Sequence, residues 1–215
     1  LDDIISVSEE MQTLKERIVK VARTKSTVMI YGETGTGKEL VARAIHNGGS
    51  RKNKRYLSQN CAAIPENLLE SILFGTTRGS FTGAENRPGL FEIASGGTLF
   101  LDEINSMDLA VQAKILKAIE EQKIRRIGGT EDILIDVRII AATNEDPLLC
   151  MQRGSLREDL YYRLKVVQLN IPPLRNRKED IRPLTEYYIN FYNTVMGKSI
   201  QNVDTQLMRL FYQYS

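Results

Sequence analysis

The stretch "YGETGTGKE", Tyr31 to Glu39, decides the fold. A short apolar run, "TVMIYG", leads into it, and "KELVARAIH", with helical spacing, leads out, so it lies at a strand-to-helix junction. Gly32, Gly35 and Gly37, with Glu33, Thr34 and Thr36 between them, let backbone N–H groups close around phosphate oxygens. Lys38 supplies a point charge to the β and γ phosphates of a nucleotide, and the positive end of the next helix points at them. The common form of such a loop ends in Ser or Thr, whose hydroxyl helps hold Mg2+. Here that position is Glu39, a carboxylate that can itself contact the metal. A glycine-rich turn without a ligand is the alternative. Strand, glycines, lysine and helix in this order argue against it.

Downstream, "GTLFLDE" is an apolar strand ending in Asp102 and Glu103. Ligands of open α/β sheets bind at the carboxyl edge of the strands, which is where these acids fall. Asp102 can hold Mg2+ through its water shell, and Glu103 can orient and polarise an attacking water. Alone, such a pair could cap a helix N-terminus. Together with the upstream loop it predicts ATP hydrolysis. "AATN" puts Thr143 and Asn144 at a neighbouring strand end, where they can report on the γ-phosphate. Asn60, closing "RYLSQN", has a comparable place and could hold Glu103 back by a hydrogen bond until the nucleotide state changes. For each of these three, a polar strand terminus capping a loop is the plainer reading.

Strands and helices alternate along the chain. "SVSEEMQTLKERIVKVA" opens with a capping-box pattern, Ser6 with Glu9, and "ENLLESILF" reads as a helix. "SMDLAVQAKILKAIEEQ" is amphipathic, with Leu109, Ala113, Leu116 and Ile119 on one side. "KIRRIGGTEDILID" predicts a hairpin turning at Gly128-Gly129. The alternation predicts a parallel sheet covered on both faces, an α/β body over residues 1–171. Pro172-Pro173 mark a boundary, and residues 172–215 read as the start of a small helical unit.

Composition narrows the alternatives. The 215 residues carry 29 basic and 27 acidic side chains, a net charge of +2, which gives no electrostatic case for binding nucleic acid or membranes. The basic run "RKNKR", Arg51 to Arg55, reads as a solvated turn. Two cysteines, Cys61 and Cys150, make no disulfide framework or metal spacing, and a single histidine, His46, argues against zinc and against a histidine-based triad. No apolar run is long enough to span a bilayer and no signal peptide opens the chain, so a cytoplasmic location is expected.

With these features in place the sequence resembles the central AAA+ ATPase domain of bacterial sigma-54-dependent transcriptional activators. "GETGTGKE", "NCAA", "LLESILFG", "GSFTGA", "ASGGTLFLDEI", "VRIIAATN" and "LREDLYYRL" occur in the family's order and span essentially the whole chain. Glu39 is usual in that family. The resemblance implies a P-loop NTPase (AAA+) fold whose parallel sheet is sandwiched by helices and followed by a partial α-helical lid. ATP and Mg2+ would be its ligands. The family's loop Gly-Ala-Phe-Thr-Gly-Ala corresponds to Gly79, Ser80, Phe81, Thr82, Gly83 and Ala84, and it implies contact with sigma-54 on the RNA polymerase holoenzyme, with Phe81 and Thr82 as the working residues. The hairpin at Gly128-Gly129 matches the family's insertion beside that loop.

"LREDLYYRL" resembles the arginine-finger segment and maps the fingers to Arg157 and Arg163, implying a ring, a hexamer, with each ATP between subunits. Read without the family, these arginines are surface partners of Glu158 and Asp159. "ISVSEEM" departs from the family in lacking the glycine common before the first helix. The chain also stops at Ser215, before the family's sensor arginine, and no regulatory or helix-turn-helix domain flanks it. An excised central domain with a truncated lid is therefore expected, with DNA bound only through an absent C-terminal domain. The expected function is ATP-driven remodelling of the sigma-54 holoenzyme for promoter opening. The alternatives are a nucleotide-gated binding module without useful turnover, or another AAA+ remodelling ATPase.

Overall fold

Strands that are apolar on both faces need cover on both faces, and the chain supplies it. A computed structural model describes residue 1, residues 3–80 and residues 84–214, with only the backbone of Glu66 and Asn67. In chain order the elements are α1 (Glu9–Ala22), β1 (Val28–Tyr31), α2 (Lys38–Asn47), β2 (Tyr56–Asn60), α3 (Glu66–Phe74), β3 (Gly75–Thr76), β4 (Arg87–Pro88), α4 (Leu90–Ile93) and β5 (Thr98–Asp102). There follow α5 (Leu109–Glu121), β6 (Lys123–Ile124), β7 (Ile133–Leu134), β8 (Arg138–Thr143), α6 (Pro147–Gln152), α7 (Glu158–Leu164), β9 (Val167–Asn170), α8 (Ile181–Met196) and α9 (Thr205–Gln213).

Five strands form one sheet in the order β2-β5-β8-β1-β9, every pair parallel. The two-residue period of a strand divides the core into two layers. Met29, Leu99, Leu101, Ile139 and Ala141 face α3, α4, α5 and α7. Val28, Ile30, Phe100, Ile140 and Ala142 face α1 and α2. Register brings the strand ends level at one edge, Asn60 opposite Asp102 and Tyr31 opposite both Thr143 and Asn170. That edge carries the site. No helix among the described residues is long and apolar enough to cross a membrane.

Two local expectations change and two details are added. The Ser6–Glu9 capping box does not form. Helix α1 starts at Glu9 with Ser8 as its cap residue and no side-chain cap, and the two N–H groups just before the helix are met from afar. The carboxylate of Asp180 accepts from the Val7 and Ser8 N–H groups (2.5 and 2.8 Å) and from Ser8 Oγ (2.8 Å). On α5 the buried stripe is Val111, Gln112, Ile115 and Ala118, while Leu109 is exposed and Leu116 and Ile119 lie at its margin. The run Arg51 to Arg55 is a turn with residues 52–55 exposed, as expected, and only Arg51 is held, donating to Gly97 O (2.9 Å) and pairing with Asp136 (2.6 Å). A fifth strand, β9, carries "VQLN" at the sheet's edge beside β1. The expected hairpin is present as the antiparallel pair β6 and β7, with φ +74° at Gly128.

Candidate functional site

The glycine loop turns as its glycines require. Gly35 and Gly37 have φ of +83° and +97°, and a Cβ on Gly35 would meet nothing within 4 Å, so the cradle is open. At Gly32 a Cβ would stand 2.6 Å from Thr36 Oγ1, a close approach that only glycine allows. The Lys38 side chain is buried and curls over the loop, its Nζ donating to Gly32 O (3.0 Å) and Glu33 O (3.3 Å). Glu39 makes a half-exposed ion pair with Arg43 (3.0 Å), whose guanidinium lies over the Tyr56 ring, and its charge is felt at Asp102.

Asp102 ends β5 beside the loop. Burial pushes its carboxyl above the usual carboxylate range, and the nearby Lys38 charge and the Glu103 N–H bond (3.0 Å) pull it back. Glu103 has φ +56° and ψ +50°, the left-handed region that a side chain seldom occupies. Ser106 closes the turn by donating from N (3.0 Å) and Oγ (2.6 Å) to Glu103 O. No residue pattern around Glu103 marks this conformation.

Asn105, which the sequence reading passed over, joins the acid turn to the next strand end. Its Oδ1 accepts from the Thr143 hydroxyl (2.9 Å) and its Nδ2 donates to Asn144 Oδ1 (3.2 Å). Thr143 is fully buried, and its carbonyl accepts from the Gly32 N–H (3.3 Å), so phosphate loop, acids and both polar strand-end residues form one connected edge. Asn60 is at that edge by register, but its Oδ1 accepts from the Ala62 and Ala63 N–H groups (2.9 and 3.1 Å). It makes no hydrogen bond to Glu103 among the described residues, so the plainer reading, a strand terminus capping its own turn, holds in this state.

Beside the loop, a cavity of about 480 Å3 lies between residues Glu33 to Gly37, Ile4 and Met11 on one side and Tyr187, Tyr188 and Phe211 of α8 and α9 on the other. Two arginines reach back from the segment after β9. Arg175 grips the Glu33 carboxylate with two bonds (2.7 and 2.5 Å), and the buried Arg177 donates to Thr36 O (3.3 Å). Neither was singled out in the sequence, because the contacts span more than 140 positions.

Arg157 and Arg163 take no part in this cavity. Arg157 is bidentate on Asp159 (3.0 and 2.7 Å), as its surroundings in sequence predict, and Arg163 is exposed with no ion pair among the described residues. The loop that begins at Gly79 rises from the ribbon of β3 and β4. At its foot the Gly79 N–H donates to Ala84 O (3.4 Å), and Ser80 packs so closely on Gly128 that a Cβ there would stand 2.5 Å away. Hairpin and loop are thus neighbours. Phe81, Thr82 and Gly83 lie outside the described residues.

Residues 4–170 match the family described as "Sigma-54 interaction domain". The chain is 52% identical over 213 residues to the transcriptional activator RocR of Bacillus subtilis (strain 168), covering 99% of this chain and 46% of that protein. It is 46% identical over 213 residues to the regulatory protein AtoC of Escherichia coli (strain K12), with the same coverage of 99% and 46%. The crystal structure of NtrX from Brucella abortus in complex with ATP superposes with a TM-score of 0.91 at 37% identity, covering 99% of this chain and 48% of that one. The chain spans less than half the length of these curated relatives. A parallel five-stranded sheet with a glycine loop at its carboxyl edge, together with the match over residues 4–170, shows that the chain belongs to the sigma-54 interaction domain family.

Proposed function

We propose that this chain is the ATP-hydrolysing domain of a cytoplasmic sigma-54-dependent transcriptional activator, in which residues 1–171 form the ATPase body and residues 172–215 belong to a helical lid. The observation that carries the reading is the junction of Lys38, Asp102 and Glu103 at the carboxyl edge of the sheet, beside an open glycine cradle. Phosphates would lie on the N–H groups of Gly35 to Lys38, with the Lys38 ammonium leaving its loop carbonyls for them. The base would enter the largely apolar cavity against Ile4 and Met11.

No three His, Cys, Asp or Glu side chains converge into a metal cage among the described residues. This donor set fits Mg2+, which prefers phosphate oxygens and water with one or two carboxylates, and Asp102 is the residue that would hold it. When bound, the ion would neutralise charge on the β and γ oxygens. Glu103 would orient a water and accept its proton as the water oxygen bonds to the γ-phosphorus. The bond to the bridging oxygen would break, with its electron pair leaving on ADP. Thr143 and Asn144, held by Asn105, would register the change at the γ-phosphate. Arg157 and Arg163 would act on a neighbouring subunit's nucleotide in a hexameric ring. The loop of Gly79 to Ala84 would engage sigma-54 and remodel the polymerase holoenzyme.

The test is Glu103→Gln. ATP binding should persist while turnover falls by about a hundred-fold or more, the scale of a lost general base. In parallel, Thr82→Ala should hydrolyse ATP normally yet fail to capture sigma-54 in the presence of ADP and a γ-phosphate mimic. Near-normal hydrolysis by Glu103→Gln would overturn the catalytic assignment. Undiminished capture by Thr82→Ala would overturn the partner assignment.

A further inference from the structure

Gln112 lies in the second turn of α5, in the middle of the helix's buried stripe, where an apolar side chain would ordinarily serve. It is fully buried, alone among the described Asn and Gln residues, and a buried amide costs stability unless its donors and acceptor find partners. All its partners are backbone atoms. Nε2 donates to Met107 O (2.9 Å) and to Ser155 O (2.8 Å), and Oε1 accepts from the Arg157 N–H (2.9 Å). One side chain thus joins the segment leaving Glu103 to the first residue of the α7 cap. The Arg157 guanidinium, by contrast, is tied only to Asp159 on a partly exposed surface, a pair weak enough to exchange for another anion.

We propose that Gln112 is the positioning residue for Arg157, setting from below the place at which its guanidinium is offered to the nucleotide of a neighbouring subunit. This rests on the reading that Arg157 acts across a subunit seam. The backbone N–H is held by a fully buried amide while the side chain is paired only at the surface, an arrangement that lets the guanidinium swing without moving its root. Loss of the anchor should fall on the finger rather than on the subunit's own Glu103, because the Glu103 turn is closed independently by Ser106.

The test uses two subunits that are each inactive alone. Arg157→Ala keeps its Glu103 but offers no finger, and Glu103→Gln keeps its finger but has no base. Mixed, they form seams in which an intact Glu103 meets an intact Arg157, and turnover should reappear. Adding Gln112→Met, close in shape but unable to make these bonds, to the finger-donating Glu103→Gln subunit should cut the mixed activity by about ten-fold or more. Adding it to the Arg157→Ala subunit should leave that activity within about two-fold.

Equal losses on both sides, or no loss, would overturn the role of Gln112 while leaving the arginine exchange standing. No activity in the parent mixture would overturn the exchange itself, and this inference with it. A measurement without substitution guards against a variant that fails to fold. The Arg157 amide of the unaltered protein should exchange hydrogen as slowly as buried strand amides, and exchange at the rate of an open loop would overturn the anchor.

Discussion

Glu103 shows how little of a site's geometry its residue type discloses. Its acid could be named from "FLDE", but its left-handed backbone, costing about 1–2 kcal/mol for a side chain, arises only because the chain must turn sharply off the sheet edge. The same holds for Asn105. Two positions after the acid pair it looks like any loop asparagine, and only the neighbouring strand's end, 38 positions on, turns it into a bridge. Asn105→Ala should therefore leave ATP binding intact, because no phosphate-binding group moves. Turnover at saturating ATP should fall by about ten-fold, as Thr143 and Asn144 lose their tether to the acid turn. Steady-state kinetics separate the two: a rise in KM with kcat unchanged would show that Asn105 serves binding instead. Lys38 and the three glycines were legible because a phosphate loop needs those residues in that order. Asn60 was legible both as an edge residue and as the cap of a loop, and the structure adds its partners, the Ala62 and Ala63 N–H groups.

At the scale of elements, hydrophobic period placed the central strands and most helices, since burial on both faces or on one stripe leaves its mark in the sequence. It failed where distant residues supply a helix's needs. The stripe of α5 was misplaced by the polar Gln112, and the start of α1 was misplaced because its cap residue, Ser8, is held by Asp180, 172 positions away. Asp180 is fully buried, with the Arg177 guanidinium 3.6 Å off and three donors from Val7 and Ser8. Asp180→Ala should cost about 3–5 kcal/mol, the range for breaking a buried charge pair and leaving its partner behind. Burial works to raise the Asp180 carboxyl, but the bonds from Val7 and Ser8 and the Arg177 charge outweigh it and hold the carboxyl below its ordinary range. A depressed carboxylate stabilises the fold above its unfolded pKa of about 3.9 and loses that contribution as pH falls through the lower folded value. Thermal melts of parent and variant should therefore differ most near neutrality and converge below about pH 4. A gap that stays constant into acid would mean that the charge of Asp180 contributes nothing.

Across the whole molecule, the cavity between the phosphate loop and the α8–α9 pair holds only part of what the proposed hydrolysis would require. Arg175 and Arg177 border it, but the first is engaged with Glu33 and the second with loop carbonyls and Asp180, so neither is free to meet the γ-phosphate. The two arginines read from "LREDLYYRL" sit at the two ends of α7, and neither lines this cavity. A lone subunit should therefore bind ATP but turn it over poorly. Turnover per subunit should rise with protein concentration and level off once seams are filled, and over about a hundred-fold dilution the plateau should give way to a steep fall. Arg157→Ala should bind nucleotide as the parent does at every concentration, yet reach a plateau lower by about a thousand-fold, the scale of a missing arginine finger. Turnover per subunit that is flat across the dilution series, with Arg157→Ala unimpaired, would mean that each chain completes its own site and that α7 has no catalytic partner.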